Sequence, residues 1–306
     1  MATPDKNRLQ KLIVFPTETV YGLGASAFDP DAISAVFEVK GRPSDNPLIV
    51  HVADKNMVND FAIEISDDAE KLMDVFWPGP LTLVLPKKPE VLDSITSGLN
   101  TVAVRMPNHP LAQKALLERG AMVAPSANRS GRPSPTSPEH VLADFGDSLS
   151  VIDGGKCELG LESTVINLAE EPYTILRPGH ISASDIESIL QKKVIRSTDS
   201  IQEGPARSPG MKYSHYAPKA RVCWFNPTSD ALQSDTLYLM LNSVEHFHGE
   251  NVINYTNDLK KLAAELYDRF RQADIQGFDF IVIEKPTSKD GLSLALINRI
   301  EKASGE

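Results

Sequence analysis

The chain has 306 residues, a formal net charge of -10 at pH 7, 41% apolar and 24% charged residues. Its length exceeds that of most single domains and its composition is that of a globular protein, so we predict two folded domains. Because binding to the phosphates of nucleic acid needs a surplus of Lys and Arg, the negative charge disfavours a protein that coats nucleic acid.

The two cysteines, Cys157 and Cys223, have no second thiol or histidine at metal-ligand spacing. We therefore predict neither a disulfide scaffold nor a zinc site, and we expect a reducing compartment, the cytoplasm. The start of the sequence lacks the pattern of a secretory signal, and the apolar runs are far shorter than the roughly twenty residues of a membrane-spanning helix. No membrane segment is expected.

Short strand-like runs alternate with helical patterns through residues 1–200, which predicts a layered α/β domain. The predicted strands are 12–15, 48–52, 81–85, 102–104, 121–124, 151–152, 164–168 and 173–176. The predicted helices are 31–40, 67–76, 110–118, 138–145 and 184–191. Few residues precede Phe15, so residues 7–11 are expected to form at most a short helix.

Residues 201–219 lack a hydrophobic period and are rich in Ser, Gly, Pro, Lys and Tyr, which predicts an interdomain linker. Alternating patterns return in residues 220–306, so a smaller second α/β domain is expected there. Its predicted strands are 221–225, 237–241, 252–255 and 278–283, and its predicted helices are 259–273 and 292–302.

The first candidate segment for a site is residues 15–24, where a strand leads into a turn rich in hydroxyl groups and glycine. Such a turn can bring backbone N–H groups and hydroxyls close to a ligand. An ordinary turn stays open as the alternative, because the chain contains neither a dinucleotide-binding fingerprint nor a P-loop.

Two cations follow at the end of a predicted helix. Lys40 lies three and four positions after Phe37 and Val36, which places it on the apolar face. Gly41 is predicted to end the helix before Arg42. Compensation of the helix dipole is the alternative role for Lys40. The polar residues 44–47 make this cluster richer than that role requires.

Strand alternation gives two more candidates. It places His51 with Ile49 on one face of a strand, and Arg105 with Ala103 on one face of another. A guanidinium group above small residues suits capture of a carboxylate or phosphate, because it can bind either of them with two hydrogen bonds. A structural histidine and an exposed arginine at a sheet edge are the alternatives.

Residues 126–136 follow a strand and contain several hydroxyls, an amide and two guanidinium groups, which indicates phosphate binding; a polar surface loop is the alternative. Later, Ser163 and Thr164 open one strand and Arg177 closes another. The predicted site is rich in cations and hydroxyls, and no catalytic triad or pair of carboxylates is recognisable. This suits phosphoryl or nucleotidyl transfer in which the substrate supplies the nucleophile.

Together these segments closely resemble the Sua5/YrdC family of threonylcarbamoyl-AMP synthases. The resemblance rests on residues 15–24, 40–43, 46–51 and 126–128, and it continues through residues 77–82, 104–107, 162–164 and 176–179. Residues 208–213 and 215–218 resemble the interdomain linker of the longer, Sua5-type members.

The resemblance implies a twisted open mixed α/β sheet followed by a smaller Rossmann-like α/β domain. It implies a nucleotidyltransferase that makes threonylcarbamoyl-AMP and pyrophosphate from L-threonine, bicarbonate and ATP, with Mg²⁺ as cofactor. The product would feed a downstream tRNA threonylcarbamoyltransferase that modifies an adenosine of tRNA. Contact of this chain with RNA is expected to be weak at most.

By position, the resemblance also assigns site residues. An L-threonine pocket would be formed by Thr17, His51, Arg105, Ser126, Ser163 and Thr164, with Arg105 on the carboxylate. ATP would be held by Lys40, Arg42, Thr101, Asn128, Ser134, Arg177 and, from the linker, His215. Lys40 and Arg42 would be catalytic, because they would offset charge on the phosphates together with Mg²⁺. Ligands of the metal are not assigned.

Two other classes of function stay open. The first domain could bind double-stranded RNA on a concave basic surface without catalysis, although the acidic composition disfavours this. A carbamoyltransferase subunit, such as the related hydrogenase-maturation enzymes, would need acylphosphatase-like and zinc-binding cysteine segments, which this sequence lacks.

Overall fold

The structure is a computed structural model that describes residues 5–197, 216–227, 232–242, 249–288 and 291–305. Within these ranges the chain forms a nine-stranded sheet and a four-stranded sheet, each with helices packed against it. Residues 201–215 of the predicted linker lie outside the described residues. The expected domain boundaries stay predictions, and we call the part up to residue 197 the first unit and the part from residue 216 the second unit.

The first unit is built on a mixed sheet. Its strands are β1 (Ile13–Phe15), β2 (Gly22–Ser26), β3 (Ile49–His51), β4 (Leu81–Pro86), β5 (Thr101–Arg105), β6 (Met122–Val123), β7 (Thr164–Asn167), β8 (Thr174–Arg177) and β9 (Ile195–Arg196). Their order across the sheet is β1-β2-β6-β3-β5-β4-β7-β8-β9. The pairs β3 with β5, β4 with β7 and β8 with β9 are parallel, and the other neighbours are antiparallel. The predicted mixed sheet is confirmed.

Strand alternation decides which face of this sheet most helices cover. The helices are α1 (Lys6–Leu9), α2 (Pro30–Lys40), α3 (Asp67–Phe76), α4 (Asp93–Thr96), α5 (Pro110–Arg119), α6 (Pro138–Phe145) and α7 (Ala183–Leu190). Val50 and Val104 point into the main apolar core together with helix residues such as Ile33. Ile49 and Ala103 belong to a small separate cluster on the opposite face. That opposite face is where the candidate site lies.

The second unit is a parallel α/β sheet. Its strands are β10 (Arg221–Trp224), β11 (Thr236–Met240), β12 (Val252–Asn254) and β13 (Phe280–Ile283), and its helices are α8 (Leu259–Gln276) and α9 (Leu292–Ser304). The order β10-β13-β11-β12 is parallel throughout, as the predicted Rossmann-like alternation requires. In the described part of the chain, no helix combines the length and the apolar character needed to cross a membrane.

The two units share a packed interface. Val20 and Leu161 of the first unit are buried in the same apolar cluster as Leu266 and Phe270 of helix α8. Buried polar contacts add to it, since Arg271 Nη2 lies 2.9 Å from an oxygen of Asp144. The first and second units are therefore held together by burial of apolar surface and by charge.

Two expectations about local structure were wrong. Residues 22–24 were expected in a turn but belong to strand β2, which is antiparallel to β1, with Gly24 opposite Ile13. A side chain at Gly24 would lie 2.7 Å from the Phe15 ring, so glycine here serves close packing rather than turning. The predicted strand 151–152 forms only an isolated bridge, between Val151 and Val14.

The interface between the two units predicts that replacing either of two glycines by alanine lowers the free energy of unfolding by different amounts. Gly160 has φ +73°, and an added Cβ would lie 2.4 Å from the backbone oxygen of Ala263 in α8. Gly277, with φ +77°, has open space around it. Gly277→Ala should lose about 1–2 kcal/mol of unfolding free energy through backbone strain. Gly160→Ala should lose about 1–3 kcal/mol more because it also overpacks the interface.

Urea unfolding of both variants and the unchanged chain measures this difference. Equal losses of unfolding free energy in the two variants would contradict the close approach of the two units at Gly160.

Candidate active site

A cavity opens on the sheet face opposite the main core, at the carboxyl ends of the parallel strands β3 and β5. His51 and Arg105 are the last residues of these strands and lie opposite one another in the register. The loop after β6 contributes Ser126 and Asn128 to the wall, and Tyr216 of the second unit completes it. The cavity is therefore built from segments that are distant in the sequence.

Most of the predicted site residues converge here. The cavity is lined by Thr17, Lys40, Arg42, His51, Arg105, Ser126, Asn128, Ser163 and Arg177. Thr101, Ser134 and Thr164 are not part of its lining. His215 lies outside the described residues. The individual roles assigned to these residues stay predictions.

Lys40 is buried at the end of helix α2, and the helix ends where predicted because Gly41 adopts a left-handed conformation with φ 62°. Its ammonium group donates hydrogen bonds to the backbone oxygens of Ser126 at 2.5 Å and Asn128 at 2.6 Å. Burial and, second, the neighbouring Arg42 hold the pKa of Lys40 well below its usual value. A bound anion would oppose both effects.

Arg42 follows the helix and turns back toward the next segment. Its Nη2 donates to the backbone oxygen of Pro47 at 3.1 Å, and its buried Nε has no hydrogen-bond partner among the described residues. Burial lowers its pKa to about 10, so the guanidinium group keeps its charge at neutral pH. The Nε–H group of Arg42, which lines the cavity, is thus available as a hydrogen-bond donor to a ligand.

His51 is held as a neutral ring. It is 3% exposed, its Nδ1 lies 3.2 Å from the backbone oxygen of Ile49, and its ring packs edge-on against Phe15. Burial, followed by the charge of Arg105, lowers its pKa to about 3. When Nδ1 donates to Ile49, the other nitrogen is left as an acceptor.

Arg105 is 4% exposed and fixed on three sides. Its Nε donates to the backbone oxygen of Gly79 at 3.1 Å, and its Nη1 donates to the hydroxyl of Thr19 at 2.9 Å. Glu18 Oε1 lies 2.7 Å from Nη2, but the two groups are not aligned for a hydrogen bond. Glu18 and Arg105 therefore form a buried ion pair, which holds the guanidinium group in the cavity lining.

Arg177 is anchored at the end of strand β8. It donates from Nε to the backbone oxygen of Ser163 and from Nη2 to the Ser163 hydroxyl, each at 3.0 Å. The Ser163 hydroxyl also lies 2.8 Å from that of Thr82. We call Lys40, Arg42, Arg105 and Arg177 the cation cluster.

The hydroxyls and amides of the cavity are largely preorganised. The Thr17 hydroxyl donates to the backbone oxygen of Val20 at 2.7 Å, and the Ser126 hydroxyl donates to Asn128 Oδ1 at 2.5 Å. Asn128 Nδ2 in turn bonds two carbonyls of its own loop, at Arg129 and Arg132. These bonds fix the shape of the loop that faces the cation cluster.

Three predicted residues lie elsewhere. Ser134 is buried behind the wall, where its hydroxyl donates to Glu162 at 2.6 Å. The Thr164 hydroxyl donates to the backbone oxygen of Ile181 at 2.7 Å. Thr101 begins β5, four residues before Arg105, which places it roughly 13 Å away along the strand. Ser134 thus supports Glu162, which lines the cavity, whereas the partner of Thr164 lies outside the lining.

Several lining residues, among them Thr19, Glu162 and Tyr216, were not among the predicted site residues. Glu162 and Tyr216 both face the cavity. The sequence did offer a signal for Glu162, because a carboxylate directly before Ser163 can provide the counter-charge that a buried cationic site needs. Tyr216 lies within residues 215–218, which resemble the interdomain linker of the family, but no role in the site was assigned to it.

The lowered pKa of His51 predicts a pH dependence of stability. Between pH 6.5, its ordinary value, and about 3, the unfolded chain takes up a proton that the folded chain does not. Falling pH therefore favours unfolding, by about 2 kcal/mol from this residue at pH 5. His51→Asn keeps a donor for Ile49 but cannot titrate. We expect this variant to lose about 2 kcal/mol less unfolding free energy between pH 7 and pH 5 than the unchanged chain.

Urea unfolding at both pH values checks this expectation. If the two proteins lost the same amount of unfolding free energy, the ring would be charged in the folded chain.

Comparison with known proteins places this cavity in a family. The Sua5_yciO_yrdC family model, described as telomere recombination, matches residues 7–179. The model of the threonylcarbamoyl-AMP synthase C-terminal domain matches residues 181–305. Both parts of the chain are thus matched.

Relatives of known sequence and a solved structure point to the same family as the family models do. The threonylcarbamoyl-AMP synthase of Pyrococcus abyssi is 43% identical, covering 96% of this chain and 91% of its own length. That of Bacillus subtilis is 42% identical, covering 97% of this chain and 90% of its own. The crystal structure of P. abyssi Sua5 complexed with L-threonine has a TM-score of 0.87 at 41% identity, covering 97% of this chain and 92% of that chain. From its sequence and its fold alike, this chain belongs to the Sua5/YrdC family.

Proposed function

We propose that this chain is a threonylcarbamoyl-AMP synthase, which converts L-threonine, bicarbonate and ATP into threonylcarbamoyl-AMP and pyrophosphate. The observation that carries the proposal is the convergence of the cation cluster in one cavity. Two anionic substrates and an anionic intermediate have to meet there, and buried cations stabilise them more strongly than exposed ones do.

Threonine binds at the end of the cavity that contains Arg105 and His51. The position of the buried Arg105 guanidinium group in the cavity lining supports a bond to the threonine carboxylate. His51 is neutral, so it does not compete with Arg105 as a second positive charge for the threonine carboxylate. Thr17, Ser126 and Ser163 supply hydroxyls around the same space. The likeness to a Sua5 structure that contains L-threonine supports this pocket.

ATP binds where Lys40, Arg42, Arg177 and Asn128 face the cavity. Lys40 and Arg42 contact the phosphates, because an ammonium group and a guanidinium group with spare donors suit phosphate oxygens. The contact of His215 with the nucleotide stays a prediction. Thr101 and Ser134 lie outside the cavity lining.

The reaction needs no nucleophile from the protein. Bicarbonate takes up a proton and loses water to give carbon dioxide. The neutral threonine amine then adds to carbon dioxide and gives a carbamate, with release of a proton. A carbamate oxygen then attacks the α-phosphorus of ATP, and the bond to pyrophosphate breaks. The protein holds the two reactants in line, and the cation cluster offsets the negative charge of the reacting phosphates.

A resident magnesium ion is not supported by the side chains. Among the described residues, no group of three or more His, Cys, Asp or Glu side chains is placed to hold a metal ion. Mg²⁺ is commonly bound through substrate phosphates and water rather than by a protein cage. We therefore propose Mg²⁺ as part of the ATP substrate and derive no step through it.

The product is a mixed anhydride that has to be consumed by an acceptor. We propose a tRNA threonylcarbamoyltransferase as the downstream enzyme, acting on an adenosine of tRNA. The negative charge of the chain supports transfer of the small product rather than tight binding of tRNA by this chain.

Release of pyrophosphate tests the proposed function. We expect release from ATP that depends on both L-threonine and bicarbonate, because the attacking carbamate is made from both. Pyrophosphate release that is independent of threonine, or sub-micromolar binding of RNA without any turnover of ATP, would contradict the proposal.

Arg105 gives a sharper prediction. Arg105→Ala should abolish threonine-dependent pyrophosphate release or raise the KM for threonine at least about 100-fold, since losing a buried charge-assisted contact costs about 3 kcal/mol or more. Arg105→Lys keeps the charge but not the fork, so it should recover only part of the loss. An unchanged KM for threonine in Arg105→Ala would show that Arg105 does not take the carboxylate.

A further inference from the structure

We propose that Arg299, in helix α9 of the second unit, is a positioning residue that holds the nucleotide side of the cavity in place through Glu162 and Tyr216. The inference rests on the function proposed above. It gives the second unit a part in the reaction even though Arg299 itself does not line the cavity.

Arg299 connects the two strand ends that carry Ser163 and Arg177. It is fully buried, and its Nε donates to Glu162 Oε2 at 2.8 Å. Its Nη2 donates to the backbone oxygen of Pro178 at 3.1 Å. Glu162 directly precedes Ser163, and Pro178 directly follows Arg177. One guanidinium group of the second unit therefore fixes the residues next to both members of this hydrogen-bonded pair.

Arg299 also supports Tyr216. Its guanidinium carbon lies 5.5 Å from the centre of the Tyr216 ring, and Tyr216 lines the cavity. The same ring stacks on Tyr267 of α8, with the ring centres 5.3 Å apart. The Tyr267 hydroxyl donates to Glu162 at 3.1 Å, which closes the set of contacts around the carboxylate.

Electrostatics explains why Arg299 acts through Glu162. Burial alone would raise the pKa of the Glu162 carboxyl, but the charges of Arg299 and Arg177 and a hydrogen bond from Ser134 lower it to about 2. The carboxylate is therefore charged and interacts electrostatically with both Arg299 and Arg177. Without Arg299, Arg177 would be its main charge partner, so Arg177 would be drawn from its place on Ser163 toward Glu162, or Glu162 would take up a proton.

The test compares steady-state kinetics of four variants with the unchanged full-length chain. Arg299→Met removes the charge and keeps much of the volume, and Arg299→Lys keeps the charge. Glu162→Gln removes the partner charge without changing the shape. The matched control is Asp268→Asn, which loses a contact at the same interface, since Asp268 pairs with His140 and Lys156 and neither of these lines the cavity.

We expect Arg299→Met to raise the KM for ATP tenfold or more and the KM for threonine by a smaller factor, because Ser163 of the proposed threonine pocket directly follows Glu162 while Arg105 keeps its own anchors. Arg299→Lys should recover part of the ATP affinity, and Asp268→Asn should stay within twofold. A purely structural role would lower the amount of folded enzyme and hence the apparent kcat, and it would leave the KM for ATP unchanged. The split between KM and kcat thus separates the two roles.

The inference is overturned if the unchanged chain is active and Arg299→Met keeps its KM for ATP within twofold. If Arg299→Met does not fold, as circular dichroism would show, Glu162→Gln decides: we expect at least a threefold higher KM for ATP, and an unchanged value overturns the inference. An unchanged chain that makes no threonylcarbamoyl-AMP overturns the proposed function itself, and this inference with it.

Discussion

The burial of positive charge around one cavity is the constraint on which the rest of the structure depends. Removing an ion from water costs several kcal/mol, so each member of the cation cluster has to be held by other groups. Carbonyl oxygens hold Lys40, and the carboxylate of Glu18 lies against Arg105. What these contacts leave uncompensated is available to anionic substrates. The same buried positive charges thus affect both the stability of the fold and the binding of substrates.

The fold meets this constraint by bringing the ends of a helix and of several strands together at one place. A glycine cap stops helix α2 directly after Lys40, and parallel strands β3 and β5 deliver His51 and Arg105 to the same edge. The helices of the main core lie on the other face, which keeps the site face open to the loop after β6 and to the second unit. The second unit thereby becomes part of the cavity wall rather than a separate attachment.

Sequence reasoning identified the features that follow local rules. Lys40, His51 and Arg105 obey helix or strand periodicity, and the structure brings all three into the cavity. Glu162 and its partner Arg299 are 137 residues apart, and no periodic pattern reports a contact over that separation. The assignment of Thr101 came from the resemblance, whereas the rise per residue of a strand already places it roughly 13 Å from Arg105, at the far end of β5. Strand β2 escaped detection because its glycines serve packing against Phe15.

A crystal structure of the full chain with L-threonine and a non-hydrolysable ATP analogue tests the central claim most directly. The account predicts both ligands in one cavity, with the threonine carboxylate on Arg105 and the phosphates on Lys40 and Arg42. The α-phosphorus would face the threonine nitrogen with room for one carboxyl group between them. Threonine or nucleotide bound outside this cavity, or phosphates that point away from Lys40 and Arg42, would contradict it.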